Sequence, residues 1–402
     1  MDIRHLIPFF DPAVKDWALE ARLLRWLTLL WLLAGLVILF SASYAVASND
    51  FDDGLYYLKR QLFWICLGLV CFNLLVNSPL QHFLRLSGLV VILLLGLISI
   101  TLIPAVGITV NGATRWLPLG SFLIQPSEWI KPFLVLQGAR IFGQWSRLSW
   151  GTRLVWVGIF VLVLAAILAQ PNLSTAAICG ITLWLVALAA GLPYLYLGGT
   201  ALCGVALGVL SITLKDYQRQ RIISFLNPWA DPSESGYQLI QSLLAIGSGG
   251  ISGTGYGLSQ GKLAYLPIHH TDFIFAVYAE EFGFIGSLLL LLMLAAYGTL
   301  ALVVAIKTHN PVHRLVAVGA TVLLVGQSLI NIGVATGALP TTGLPFPLFS
   351  YGGNSIIASL LAAALLIRVA RESREADVVP LQPSPSDRSR RRRSRRRETS
   401  LG

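Results

Sequence analysis

Apolar residues along this chain run in long unbroken blocks, with neither the period-two alternation of half-buried strands nor the three-four spacing of surface helices. Trp26 to Ala47 is one such block, 22 residues long. A helix rises about 1.5 Å per residue, so about 20 mostly apolar residues cross a bilayer. Ten stretches qualify once a few short or interrupted ones are admitted: 26–47, 61–77, 84–104, 127–142, 153–169, 175–192, 195–214, 272–306, 313–337 and 353–369. The pattern predicts an all-α polytopic membrane protein of about ten transmembrane helices, with one large outer-face loop between spans 7 and 8. Ala45-Val46-Ala47 resembles a signal-peptidase site. The run before it exceeds a typical signal core and follows a long polar segment, so the first block reads as an uncleaved span. The eighth block is too long for one simple crossing, and its first two turns are expected to project beyond the lipid.

The polar segments divide the chain into a cytoplasmic N-terminal segment (1–25), a ten-span membrane domain (26–370, with the outer loop at 215–271) and a tail (371–402). Lys and Arg beside short loops mark the cytoplasmic side. Placing the N-terminus inside collects Arg4, Lys15, Arg22, Arg25, Arg140, Arg147, Arg153, Lys307, Arg314 and the tail on that face. Both termini are then cytoplasmic, and loops 105–126, 215–271 and 338–352 lie together outside.

Composition sharpens this picture. With 402 residues, 55% hydrophobic and 12% charged, and a mean hydropathy of +0.72, the chain is too apolar for an ordinary soluble domain. Half of the net charge of +10 comes from Arg371 to Gly402, which carries ten arginines against five acids. That tail reads as disordered and drawn to anionic membrane lipids rather than to nucleic acid. Cys66, Cys71, Cys179 and Cys203 all fall inside apolar runs and look like small hydrophobes, neither a disulfide framework nor a metal set.

Charge entering a membrane span costs at least about 2.5 kcal/mol per group, so ionisable residues there mark a substrate, an ion or a buried partner. Leu263 to Gly286 brings His269, His270, Asp272, Glu280 and Glu281 to the mouth of the eighth block. Asp272 follows Thr271 at a helix start, where the plain reading is an N-cap. Its histidine neighbours suggest general-base work instead. Glu280 lies about 12 Å deeper and about 80° around the helix. Glu280 and Glu281 cannot both face one cavity, and a buried ion pair holding the bundle is the preferred reading of both.

In Gln125-Pro-Ser-Glu-Trp-Ile-Lys131, Pro126 and Ser127 supply helix-start chemistry, and Glu128 and Lys131 share a face. They form either a local ion pair or a site in which Lys131 meets a phosphate or Glu280. Upstream, Arg115 and Trp116 follow a turn at the outer surface. Arg115, Lys131, Lys215, Arg219, Arg221 and Lys262 together suit an anionic, phosphorylated, lipid-linked substrate, the alternative being interfacial snorkelling. The glycine run 247–257 permits close backbone approach. It is not a nucleotide loop, because no strand precedes it and Leu263 stands where Ser or Thr is needed.

VNGATRW (110–116), QPSEWIK (125–131), QPNLST (170–175), YLPIHHTDFIFAVYAEEFG (265–283) and PTTGLPFPLFSYGGNS (340–355) together resemble the SEDS family (shape, elongation, division and sporulation). The resemblance implies a ten-span fold and a peptidoglycan glycosyltransferase polymerising lipid II, the undecaprenyl-pyrophosphate-linked disaccharide pentapeptide, on the outer face of the cytoplasmic membrane. It assigns the essential acid to Asp272, which would take the proton from the acceptor sugar's 4-hydroxyl. Substrate binding would fall to Lys131, Glu128, Arg115, Arg219, Arg221 and His270, with no resident cofactor beyond, at most, a divalent cation such as Mg2+ at the pyrophosphate. A class B penicillin-binding transpeptidase and other division proteins are the expected partners. Ser41-Ala-Ser43 and the 53–62 stretch are more similar to the division branch than to the elongation branch. Asn172 replaces a common Asp, which puts any catalytic or metal role there in doubt, and Asn354 replaces a common Ser. The competing functions are a lipid II flippase and a scaffold for the division machinery.

Overall fold

The computed structural model describes residues 14, 17–103, 106–110, 113–120, 122–234, 236–261 and 271–377. Lys262, His269, His270, almost all of the N-terminal segment before Trp17, and the tail beyond 377 lie outside the described residues. Thirteen helices are described: α1 Leu19–Phe51, α2 Tyr56–Asn77, α3 Leu80–Thr101, α4 Pro126–Gly143, α5 Trp150–Ala169, α6 Leu173–Ala189, α7 Tyr194–Leu214, α8 Asp216–Leu226, α9 Tyr237–Ser248, α10 Ile274–Lys307, α11 Pro311–Thr321, α12 Gln327–Ala335 and α13 Gly353–Asp377. A π-helical turn, Val322–Gly326, joins α11 to α12.

Eight of the helical segments are long and apolar enough to cross a membrane, with Pro311–Ala335 counted as one. The other two predicted windows are α6, apolar but only 17 residues long, and α4, which carries Glu128, Lys131 and Arg140. The protein is a multi-pass membrane protein. Helix α13 is its buried centre, whereas α7 exposes nearly its whole surface and buries only Leu197. Lipid tails are as apolar as leucine, so packing and buried polar bonds hold such a bundle rather than water exclusion. Trp31 of α1 shows both: its ring meets Tyr297 edge-on at 5.5 Å, and Thr28 lies 3.2 Å from the Tyr297 hydroxyl. Of the four cysteines only Cys179 is buried; Cys66 and Cys203 are exposed, where the hydropathy pattern alone suggested core positions.

The sequence gives no clear strand signal between α3 and α4, yet a three-stranded antiparallel sheet stands there: β1 Ile108–Val110, β2 Ala113–Leu119 and β3 Phe122–Ile124, in that order. Ile108 pairs with Trp116 and Leu117 with Ile124. Strands of three residues are too short to show periodicity. The sheet is tied down by Asn354, which accepts from Gln125 N (3.1 Å) and donates to Leu123 O (2.9 Å).

Helix α10 is broken at Gly283, where φ is 65° and ψ is −161°. Backbone groups freed in a membrane must be satisfied within the protein, and the glycine run beside α9 does this. Thr254 N and Gly255 N donate to the carbonyls of Glu280 and Glu281, while Phe284 N and Ile285 N donate to Gly250 and Ile251. A Cβ on Gly253 would lie 2.2 Å from Glu281 O, and one on Gly283 only 2.3 Å from Gly253 N, so the contact requires glycine on both sides. The break separates a short segment, 274–282, from the long apolar remainder of α10.

Candidate functional site

Asp272 lies in the turn before α10. The helix cap position is Phe273, and no side chain makes a capping hydrogen bond there, so the N-cap reading of Asp272 is not realised. Two groups fix its backbone. Asn331 Nδ2 donates to Asp272 O (2.8 Å) and to Leu344 O (2.9 Å), and Ser350 Oγ donates to Thr271 O. Asn331 stands one turn beyond Gln327, whose Nε2 donates to Pro345 O at 2.7 Å. The π turn directly precedes these two amides, a common setting for functional residues. The strap from Pro340 to Ser350 is therefore fastened beside Asp272. From other sides Ser174 of α6 reaches Thr342 O, Arg221 of α8 reaches Thr341 O (3.1 Å), and Gln61 of α2 reaches Ser350 O (3.3 Å).

The Asp272 carboxylate makes no hydrogen bond or ion pair with the described residues, while two guanidinium groups act on it from nearby. Burial pushes its pKa up to about 6, and Arg221 and then Arg115 pull it back. Arg115 is lowered by burial; Tyr217 and Asp272 oppose that shift, and Arg221 adds to it. Neither arginine has a carboxylate partner among the described residues. Arg115 donates Nε to Gln170 O (3.2 Å) and Nη2 to Pro171 O. Arg221 also donates to the Tyr217 hydroxyl, and its guanidinium sits 4.6 Å from that ring's centroid. An arginine carries five N–H donors in a planar fork, so both keep donors for an anion. The arrangement places a proton acceptor with a near-neutral pKa beside two anion-binding groups.

The other predicted site residues fall elsewhere. Lys131 Nζ binds Glu128 Oε1 (2.6 Å) and Gln327 Oε1 (3.2 Å), and the pair is almost completely buried between α4, α12 and α13. The gap beside it is about 10 Å³, the lower limit for one water. This is the local ion pair, and Lys131 meets neither Glu280 nor an open surface. Arg219 is exposed two positions from Arg221, on the far side of α8 from Asp272 by helical geometry. Glu280 corrects the ion-pair reading: among the described residues it faces no cation. It accepts instead from Ser259 Oγ (2.5 Å), Gln260 N (2.9 Å) and Gly261 N (3.3 Å), holding the chain after the glycine run. Glu281 accepts from Ser41 Oγ at 2.5 Å. His270 lies outside the described residues. Asn172 caps α6 by accepting from Thr175 N (3.3 Å), a role in which Asn and Asp serve equally. Tyr217, Ser174, Gln327 and Asn331 were not singled out from the sequence. Two amides four apart in an apolar span were a readable signal.

Fold and site define a multi-pass bundle in which a carboxylate without a direct partner among the described residues gathers with two arginines at one end. A family model described as cell cycle protein, spanning FtsW, RodA and SpoVE, matches residues 21–375, and the chain belongs to that family. It is 55% identical over 379 residues to a Synechocystis sp. protein named probable peptidoglycan glycosyltransferase FtsW, covering 94% of this chain and 96% of that one. Among solved structures it resembles one described as structural coordination of polymerization and crosslinking by a peptidoglycan synthase complex. There the TM-score is 0.70 at 30% identity, over 87% of this chain and 97% of that one. It also resembles the rod shape determining protein RodA of Thermus thermophilus, with a TM-score of 0.64 at 28% identity over 87% of this chain and 96% of that one.

Proposed function

We propose that the protein is a peptidoglycan glycosyltransferase of the FtsW type, polymerising lipid II into glycan strands with its site end on the outer face of the cytoplasmic membrane. The observation that carries the reading is the Asp272 carboxylate, raised to about 6 by burial and without a direct partner among the described residues, flanked by Arg221 and Arg115. Asp272 takes the proton of the acceptor's 4-hydroxyl as that oxygen attacks the donor's anomeric carbon, and undecaprenyl pyrophosphate leaves. A base with a pKa near the working pH is suited to this step. Arg115 and Arg221 hold the diphosphate and stabilise its growing charge. Lys131 and Glu128 act at a distance, through Gln327 and the strap.

We infer septal wall synthesis from the relatives named FtsW, and a crosslinking partner, a class B penicillin-binding transpeptidase, from the likeness to a complex described by polymerization and crosslinking. A divalent cation such as Mg2+ would accompany the diphosphate; among the described residues no three His, Cys, Asp or Glu side chains gather to hold one. Titration with EDTA measures that requirement.

The test is polymerisation of purified lipid II by the complex with its transpeptidase. Wild type makes long glycan chains and Asp272→Asn makes none. Undiminished chains from Asp272→Asn would remove Asp272 from the chemistry, and translocation of labelled lipid II in sealed vesicles without polymer would replace the enzyme reading with a carrier.

A further inference from the structure

Thr341, Thr342, Leu344 and Pro345 each have their carbonyl held by a side chain from another element: Arg221, Ser174, Asn331 and Gln327 respectively. Between them stands Gly343, with φ +70°, whose carbonyl is not held in this way among the described residues. A Cβ built on it would lie 3.6 Å from Asp272 Oδ2 and 3.9 Å from Arg221 Nη1, with no third atom of the described residues within 4 Å. The bare Cα therefore faces the space that carboxylate and guanidinium share. Four anchors hold the strap there, so Gly343 is fixed beside both groups.

We propose that Gly343 is a specificity-determining position: its missing side chain leaves the seat in which the acceptor sugar brings its hydroxyl to Asp272 while the diphosphate lies against Arg221. This rests on the glycosyltransferase reading and names where the acceptor sits. A methyl group there clashes with none of the described residues, since both distances are ordinary van der Waals contacts. It instead fills the volume between the proton acceptor and the anion-binding group.

An alanine at φ +70° also strains the backbone, and the same chain contains a matched control. Gly337 has φ +69°, and the three atoms nearest its Cβ would be apolar side-chain carbons of Leu243 and Leu239 at 3.5–3.8 Å. Gly337→Ala thus reports the cost of the left-handed conformation without the effect on the seat.

The experiment measures melting temperature and steady-state lipid II polymerisation for wild type, Gly343→Ala, Gly343→Ser, Gly337→Ala and Asp272→Asn in the transpeptidase complex. The two alanine variants are expected to melt alike. Gly343→Ala should lose at least tenfold in kcat/KM, chiefly through KM, Gly343→Ser should lose more, and Gly337→Ala should stay within about threefold of wild type. If Gly343→Ala polymerises as Gly337→Ala does while Asp272→Asn is inactive, the seat is refuted and the glycosyltransferase reading stands. If Asp272→Asn is fully active, Asp272 is not the proton acceptor, and the seat falls with that assignment.

Discussion

Two of the charged clusters in the apolar bundle are built in opposite ways. At Glu128 and Lys131 the valences are spent inside the protein. The ammonium binds a carboxylate and the Gln327 amide, and the gap beside it has room for about one water. At Asp272 the carboxylate has no direct partner among the described residues, and the arginines near it spend only some of their donors, on backbone carbonyls and a phenol. Both clusters look alike as isolated charges beside apolar runs. The difference is where the compensating groups come from: in the first they belong to the protein, and in the second, on the proposed function, a bound anion and an acceptor hydroxyl would supply them.

Replacing one member of each cluster should therefore fail in different measurements. Asp272→Asn should lower lipid II polymerisation by at least about a hundredfold, the scale of a general base, while its melting temperature in detergent stays close to wild type. Lys131→Met should do the reverse first. It strands a buried carboxylate, which costs about 3–5 kcal/mol, so thermal unfolding should fall steeply, with activity lost through the fold. If Lys131→Met melts normally yet is inactive, the buried pair belongs to the chemistry and the contrast is wrong.

Smaller effects sharpen the comparison. Asn354→Ser removes the two-point clamp on β3 and the start of α4, and should cost about 1–2 kcal/mol, on the scale of one or two hydrogen bonds, with polymerisation little changed. Arg219→Ala should leave polymerisation within about twofold, as substitutions of exposed residues generally do. A large loss there would mean that the outward side of α8 also contacts the substrate.

The ten blocks were legible because their length and hydropathy depend only on local sequence; the 153–169 window, for example, became Trp150–Ala169 and 127–142 became Pro126–Gly143. The 26–47 window grew into Leu19–Phe51 because Arg22 and Arg25 continue the helix beyond its apolar part. What was not legible depends on distant partners. The break at Gly283 makes sense only beside residues 250–255, which come from another part of the chain. The close approach promised by the glycine run was readable, but its target, α10, was not. The same holds for the cations: Arg219 and Arg221 are equivalent until α8 is known to be a helix, and then only one can face the strap. Asp272 stood out by its position at the mouth of a span, whereas Gln327 and Asn331, which position its surroundings, passed as ordinary polar residues in a helix.

The most direct measurement of the central claim is the pH–rate profile of lipid II polymerisation for wild type and Arg221→Gln. Asp272 must be ionised to accept a proton, so the wild-type rate should be half-maximal near pH 6 and fall about tenfold per pH unit below that. Arg221 holds the carboxylate's pKa down, and removing it should move this acid limb upward by on the order of one unit as the maximal rate drops. An acid limb that stays in place in Arg221→Gln, or a wild-type rate undiminished at pH 5, would contradict the account.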